Sequence, residues 1–386
     1  MRILMLNYEF PPIGGGGSIV NYYLARNMAQ WGHDVYIITS RFRDLPEDEE
    51  LDGFKIHRVP VLRKRTDVCQ VHEMLTYVLS ASLYSLRFAR KFQPDIVQVF
   101  FGIPSGPVAY LLKKLYNLPY IVFLGGRDVP RPNPDPPHYR LLYPILSPAI
   151  KSIWGNAETV VACSYGLREL AWKTDHKAKI EVIPDGIDLS KFYPVQREAE
   201  PTVVRLLTIA RLIPRKGVQY LILAIAEVIK NTQREFEVEI VGDGPMREEL
   251  LQLAAKLKVS HKLNFVGAVP YEQLAKYYQK ADIFVLSSLA EGMPLVVLEA
   301  MASGLPIIAS KVQGIEDLVK VNRNGYLFTP GNWRSLARHI VAVLNDGRRR
   351  LTMGQESIRL VQKYDWSNIA KAYLEIYRHI LFDNAD

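Results

Sequence analysis

One local pattern recurs along this chain: a short apolar run, a loop rich in glycine or basic residues, and then a helix. The run RILMLN (2–7) precedes YEFPPIGGGG, a helical segment from about Ser18 to Trp31 and a second apolar run, HDVYIITS. In the second half, VVRLLTIARLIPRKGVQYLILAIAEV repeats the pattern. Uninterrupted apolar runs are typical of parallel strands buried on both faces. Their alternation with helices predicts Rossmann-like α/β units.

The length of 386 residues predicts two such units, because it exceeds what one hydrophobic core usually supports. The stretch VQREAEPT (195–202) is polar and lacks periodicity, so we place the linker there. We therefore expect an N-terminal domain over 1–196 and a C-terminal domain over 197–365. The last segment, 366–386, contains an amphipathic helix.

Composition narrows the class of protein. Cys69 and Cys163 are the only cysteines, too few for a disulfide framework or a zinc site. The net charge of +8 is not concentrated in a stripe, so we expect no nucleic-acid partner. The N-terminal apolar run is too short for a signal peptide, and no run approaches the roughly 20 apolar residues of a spanning helix. These features favour a cytoplasmic enzyme and leave its oligomeric state open.

The stretch EGMPLVVLE (291–299) is the first candidate site. It follows the apolar run IFVLSS (283–288), and Pro294 indicates that a helix begins there and runs to Gly304. Backbone N–H groups at a helix N-terminus, beside the positive end of its dipole, bind phosphate. Two acids, Glu291 and Glu299, stand on either side of that position. The predicted donor-binding residues between the acids are Gly292, Met293, Pro294 and Leu295.

Two basic side chains form the second candidate site. Arg211 and Lys216 lie in IARLIPRKG, directly after an apolar run. Arginine offers a planar fork to phosphate oxygens and lysine a compact charge, so this pair could neutralise a diphosphate without a metal ion. Gly242, in the turn VGDGP, is a candidate for backbone contact with the same ligand.

The segments IARLIPRKG, VGDGP, EGMPLVVLE and NGYLF together resemble those of the retaining glycosyltransferases of family 4. The resemblance implies a GT-B fold, with two Rossmann-like domains facing a cleft and segment 366–386 crossing back to the first domain. It also implies transfer of a sugar, expected to be a hexose, from a nucleotide-diphosphate donor to a hydroxyl acceptor, saccharide or lipid-linked. Glu299 would bind the ribose and Glu291 the sugar. No cofactor and no metal ion are expected.

The resemblance extends to the N-terminal half. It implies that the loop Gly14–Gly17 contacts donor phosphate or acceptor, so Gly16 and Gly17 are candidate donor-binding residues. Where the family has His-Gly-x-Asp, this chain reads GGRD (125–128), with Gly125 in place of the histidine. Asp128 is therefore the candidate catalytic residue of this half. Asp185 replaces the asparagine of the family's Pro-Asn-Gly-Val-Asp segment.

Two further interpretations concern the first half. The acidic segment 43–52 reads as a solvated loop. The segment from about Glu73 to Phe92 mixes Leu, Tyr and Ser and ends in basic residues (Arg87, Arg90 and Lys91). An ordinary half-buried helix is the favoured interpretation of this segment, and contact with a membrane surface is the alternative.

The sequence is also compatible with two other functions. A nucleotide-sugar epimerase of GT-B fold would convert the donor alone, without an acceptor. A non-catalytic sugar receptor would bind sugar without nucleotide. The residues do not distinguish a UDP donor from a GDP donor, and they do not identify the acceptor.

Overall fold

The computed structural model of the protein describes residues 1–66, 69–125, 129–130, 137–195 and 200–383. The described chain forms two compact α/β units. Unit 1 contains the described residues up to 185 together with 366–383, and unit 2 contains 186–195 and 200–365. The division falls at Asp185, ahead of the polar stretch 195–202.

Unit 1 is built on an eight-stranded sheet. Its strands lie in the order β3-β4-β2-β1-β5-β6-β7-β8, and every pair is parallel except β3 with β4. The strands are β1 Arg2–Leu6, β2 Asp34–Ser40, β3 Asp48–Leu51, β4 Phe54–Val59, β5 Ile96–Phe100, β6 Tyr120–Leu124, β7 Thr159–Ala162 and β8 Ile180–Val182. The central strands consist almost entirely of buried residues because helices cover both faces of a doubly wound sheet.

The interpretation of 43–52 as a loop is wrong for its second half, which forms strand β3. Asp48–Leu51 pairs antiparallel with β4 at the edge of the sheet. Its acids bind the strand beside it: Asp48 Oδ1 lies 2.8 Å from His57 Nδ1, and Glu49 accepts a hydrogen bond of 2.5 Å from Arg58. Charged residues suit an exposed edge strand because they discourage pairing with another chain. Because its residues are mostly charged, the segment has no alternating apolar pattern that would predict a strand.

Six helices belong to unit 1: α1 Gly16–Gln30, α2 Val71–Phe92, α3 Gly106–Tyr116, α4 Pro137–Asn156, α5 Tyr165–Trp172 and, from the end of the chain, α13 Trp366–Arg378. The return of α13 to the first unit, predicted from the resemblance, is confirmed. The ring of Trp366 stacks on that of Tyr23 in α1, with 5.2 Å between centroids. The buried Tyr377 hydroxyl donates a 2.8 Å hydrogen bond to Gln98 of β5.

Unit 2 contains a six-stranded, wholly parallel sheet in the order β11-β10-β9-β12-β13-β14. Its strands are β9 Val204–Ile209, β10 Phe236–Val241, β11 Leu263–Gly267, β12 Ile283–Leu286, β13 Ile307–Ser310 and β14 Gly325–Phe328. Its helices are α6 Val218–Asn231, α7 Arg247–Lys256, α8 Ala275–Lys280, α9 Leu295–Ala302, α10 Ile315–Leu318, α11 Trp333–Leu344 and α12 Gly347–Val361. Across the described residues, none of the helices has the length and apolarity that crossing a bilayer requires.

Asp185, the last residue of unit 1 before the chain enters unit 2, is buried. Burial raises the pKa of the Asp185 carboxyl to about 8, whereas the unfolded chain releases this proton near its ordinary value of 3.8. Between pH 3.8 and about pH 8 the folded state binds more protons than the unfolded state. The free energy of unfolding therefore falls as pH rises through this range. A protonated aspartic acid has nearly the shape of asparagine, the residue usual in the resembled family.

We therefore predict that Asp185→Asn matches the wild type in stability near pH 4 and exceeds it increasingly toward about pH 8. The difference should grow by at most about 1.4 kcal/mol per pH unit. Urea unfolding at several pH values measures it. A constant difference across that range would show that the Asp185 carboxyl does not keep its proton in the folded state.

Candidate functional site

The candidate site of unit 2 lies where its strand order reverses. The chain proceeds from β9 outward through β10 and β11 on one side, and from β12 through β13 and β14 on the other. Loops 210–217 and 287–294 therefore leave the carboxyl ends of two neighbouring strands. Helices on opposite faces leave an opening at such a point, where open α/β sheets bind their ligands.

The two loops are joined by hydrogen bonds. The backbone N–H of Leu289 donates to the Arg215 carbonyl at 2.7 Å, and the Ser287 hydroxyl donates to the Gly217 carbonyl at 2.9 Å. Ser287 is buried, so its hydrogen bond to Gly217 is protected from water. The two bonds fix loop 210–217, which carries Lys216, relative to loop 287–294, which carries Glu291.

Lys216 and Glu291 form an ion pair between these loops. Lys216 Nζ lies 2.6 Å from Glu291 Oε1, and the side chains are 15% and 8% exposed. Burial by itself would raise the pKa of Glu291, but the Lys216 ammonium and the nearby Arg215 guanidinium outweigh it and hold that pKa below its ordinary value. Burial lowers the pKa of Lys216 and the Glu291 carboxylate raises it. The charges of Arg215 and Arg211 lower it further, so the pKa of Lys216 lies below its ordinary value. The site is thus a concentration of positive charge around one acid.

Helix α9 begins beside this pair. The helix covers Leu295–Ala302 with Pro294 as its N-cap, one residue later than predicted, and no side chain caps it. Because proline has no N–H, Pro294 cannot donate a hydrogen bond to a ligand. The N–H of Val297 donates to the Pro294 carbonyl at 3.0 Å. The N–H groups of Leu295 and Val296, at the first two positions of the helix, have no acceptor within an α-helix, so an anion placed before α9 can accept hydrogen bonds from them.

Gly314, which no sequence motif marks, supports the loop before α9. The residue has a φ of +76°, and a Cβ at this position would lie 1.7 Å from the carbonyl oxygen of Gly292. Only glycine allows this approach of two backbones. Nothing in the local pattern after β13 points to this contact, because it joins segments that are distant in sequence.

Glu299 lies on the buried face of α9 and is 2% exposed. The Tyr278 hydroxyl donates a 2.6 Å hydrogen bond to Glu299 Oε2. Burial raises the pKa of Glu299 to about 7, while the Tyr278 hydroxyl and the Lys191 ammonium oppose the rise. Tyr278 and Lys191 were not predicted. The lysine stands over the Tyr271 ring at 3.7 Å from its centroid.

The other predicted residues have different placements. Gly242 follows β10. Its N–H donates to the Gly267 carbonyl at 2.8 Å, so this N–H group is not available to a ligand. Arg211 is exposed in the same loop as Lys216. Gly16 and Gly17 belong to unit 1, at the first turn of α1. Asp128 lies outside the described residues.

The replacement of the family's histidine by Gly125 has a steric explanation. A Cβ on Gly125 would lie 1.8 Å from Cε1 of Phe101, the residue directly after β5. The same ring lies 2.4 Å from where a Cβ of Gly17 would be. The Phe101 ring thus fills the space beside Gly125 that a histidine side chain would need.

The described residues contain one group of acids and histidine close enough to share a metal ion: Glu47, Asp48 and His57 of unit 1. Glu47 already binds Arg41 at 3.3 Å, and Asp48 binds the histidine. These contacts account for the group as a set of edge-strand ion pairs. The absence of a metal from the proposed reaction stays a prediction.

Two family models match the sequence. "Glycosyltransferase Family 4" matches residues 14–191, and "Glycosyl transferases group 1" matches residues 192–359. An uncharacterized glycosyltransferase of Methanocaldococcus jannaschii is 28% identical over 405 aligned positions, covering 98% of both chains. It is therefore similar over nearly its whole length.

Solved structures show the same fold. A sucrose-phosphate synthase of Thermosynechococcus elongatus has a TM-score of 0.84 at 23% identity, over 99% of this chain and 100% of its own. An Anabaena protein solved in complex with UDP and glucose has a TM-score of 0.77 at 19% identity, over 97% and 99% of the two chains. The predicted GT-B fold class is confirmed.

Proposed function

Because this chain belongs to the family 4, group 1 glycosyltransferases, we propose that it moves a hexose from a nucleotide-diphosphate donor to a hydroxyl acceptor. The donor would bind at the switch point of unit 2. The observation that carries this proposal is the buried Lys216–Glu291 pair, held beside the N-terminus of α9. A cation, an acid and a helix N-terminus at one point fit a ligand that joins phosphates to a sugar.

Each part of the site matches one part of that ligand. Lys216, Arg211 and the first N–H groups of α9 would hold the diphosphate. Glu291 would accept hydrogen bonds from the sugar, and Glu299 from the ribose. The complex of the Anabaena protein with UDP and glucose supports a donor of this class.

In the reaction, the bond between the anomeric carbon and the phosphate oxygen breaks, and a bond from that carbon to the acceptor oxygen forms. We infer a front-face displacement with retention, in which the departing phosphate oxygen takes the acceptor's proton. Negative charge grows on the diphosphate as the bond breaks, so the cations stabilise the transition state more than the bound donor. We assign Glu291 a role in binding the sugar, with its Oε1 held by the Lys216 ammonium.

A screen of nucleotide sugars tests the function. UDP-, GDP- and ADP-sugars are incubated with the protein, with and without simple sugars and alcohols as acceptors, and free nucleoside diphosphate is measured. We expect release that depends on the acceptor and is unchanged by EDTA. A changed sugar nucleotide formed without acceptor would identify an epimerase. Binding of free sugar with no nucleotide turnover would identify a receptor.

The pKa of Glu299 predicts how donor binding depends on pH. Below about pH 7 this carboxyl holds a proton, and an ionised carboxylate accepts hydrogen bonds from ribose more strongly. The KM for the nucleotide sugar should therefore fall, by up to about tenfold, between about pH 6 and about pH 8. Glu299→Gln should have a higher KM that stays constant over this range. If both proteins show the same pH profile, Glu299 does not bind the ribose.

A further inference from the structure

A row of apolar side chains lies on the solvent side of α2. Val71, Leu75, Leu79 and Leu83 occur at every fourth position and are 45%, 60%, 66% and 64% exposed. This spacing places them on one face of the helix, over about 18 Å. Single exposed leucines are common on proteins, but a contiguous apolar row marks a contact surface.

The opposite face of α2 accounts for the packing of the helix on unit 1. Tyr77, Ala81, Ser85 and Ala89 are buried there, and the Tyr77 hydroxyl donates to the carbonyl of Ile38 in β2. The leucines are therefore not needed to hold α2 in place. The favoured interpretation of an ordinary half-buried helix does not account for them.

Cations stand at both ends of this apolar row. The C-terminal cations are Arg87, Arg90 and Lys91, and the N-terminal cations, just before the helix, are Lys64 and Arg65; all five are exposed. Within Val71–Phe92, all of which is described, Glu73 is the only acid. It is 1% exposed and accepts hydrogen bonds from the N–H groups of Lys64 and Gln70. The outer face of α2 is thus apolar and positively charged.

We propose that α2 docks on the surface of a bilayer rich in anionic lipid. The leucines would enter the boundary between headgroups and acyl chains, and the cations at both ends would meet lipid phosphates. The charges argue against a second copy as the occupant. If the α2 helices of two copies packed in parallel, their C-terminal cations would lie together and repel. If they packed antiparallel, the C-terminal cations of one copy would face the N-terminal cations of the other. This inference does not depend on the proposed transfer reaction.

Flotation with lipid vesicles tests the proposal, using phosphatidylcholine alone and phosphatidylcholine with about a third phosphatidylglycerol. The full chain should bind the anionic vesicles at least roughly tenfold better than the neutral ones, and salt should weaken the binding. Equal binding to both vesicles, or none to either, would overturn the proposal.

Matched variants locate the contact. Leu79→Gln and Leu351→Gln change leucines of nearly equal exposure, 66% and 64%, on α2 and on α12. We expect weaker vesicle binding only for Leu79→Gln, and a loss of roughly tenfold or more when Leu75 and Leu83 are changed with it. Wild-type binding by that triple variant would refute the proposal. Thermal unfolding checks that each variant is folded.

Self-association is measured in parallel, by sedimentation velocity without lipid. We expect the same sedimentation coefficient for the wild type and for the variant that replaces all three leucines. A wild-type dimer that this variant abolishes would assign the apolar row to a second copy of the chain and overturn the lipid proposal.

Discussion

Replacing Lys216 with alanine should lower turnover at saturating donor by roughly 10- to 150-fold. The estimate follows from the roughly 1.5–3 kcal/mol that a hydrogen bond to a charged group contributes, applied to the phosphate charge that develops in the transition state. Initial rates of nucleotide release measure it. Lys311→Ala, at an ion-paired lysine that is 63% exposed, provides the control and should keep the wild-type rate.

A loss of folding must be separated from a loss of catalysis in this variant. Lys216→Ala leaves Glu291 buried without its 2.6 Å partner, which costs about 3–5 kcal/mol when a buried pair is broken on one side. The double variant Lys216→Met with Glu291→Gln removes both charges, so it should recover thermal stability while turnover stays low. If the double variant regains activity along with stability, Lys216 has only a structural role. Full turnover of Lys216→Ala would exclude the phosphate role directly.

Gly314→Ala should weaken donor binding by at least about tenfold. The new methyl group would stand 1.7 Å from the Gly292 carbonyl, so the loop before α9 would have to move. Forcing extra atoms into a packed place costs about 1–3 kcal/mol, and one tenfold change in affinity corresponds to about 1.4 kcal/mol. Calorimetric titration with the nucleoside diphosphate selected by the donor screen measures the change.

Gly331→Ala is the matched control for Gly314→Ala. Gly331 has nearly the same backbone, with a φ of +78°, but the nearest atom to its Cβ position would be the Tyr220 ring at 3.7 Å. Both variants suffer the strain of a left-handed alanine, about 1–2 kcal/mol, and only Gly314→Ala should also lose donor affinity. Equal affinities in the two variants would show that Gly314 does not position the donor loop.

Much of the site could be predicted because its signals are local. The apolar run before Glu291, the Pro294 at the start of α9 and the basic loop after β9 are each visible within a few residues. Parallel strands put their following loops at one edge of the sheet. That rule predicts that Lys216 and Glu291 lie at the same edge, and the pairing of β9 with β12 brings the two residues together.

The rest depends on contacts between distant segments. Tyr278 donates to Glu299, and Gly314 meets Gly292, because particular helices and strands pack together. Local periodicity does not report such contacts. Strand β3 was missed for a related reason: its charged residues are stabilised by partners on β4, which the pattern of 43–52 alone does not show.

The central claim is that the switch point of unit 2 binds the diphosphate of a nucleotide sugar. The most direct test is a crystal structure of the protein with the nucleoside diphosphate selected by the donor screen. We predict phosphate oxygens at hydrogen-bond distance from Lys216 Nζ and from the first N–H groups of α9, with the ribose hydroxyls on Glu299. A nucleotide bound elsewhere, with Lys216 and Glu291 still paired and no phosphate beside them, would contradict the claim.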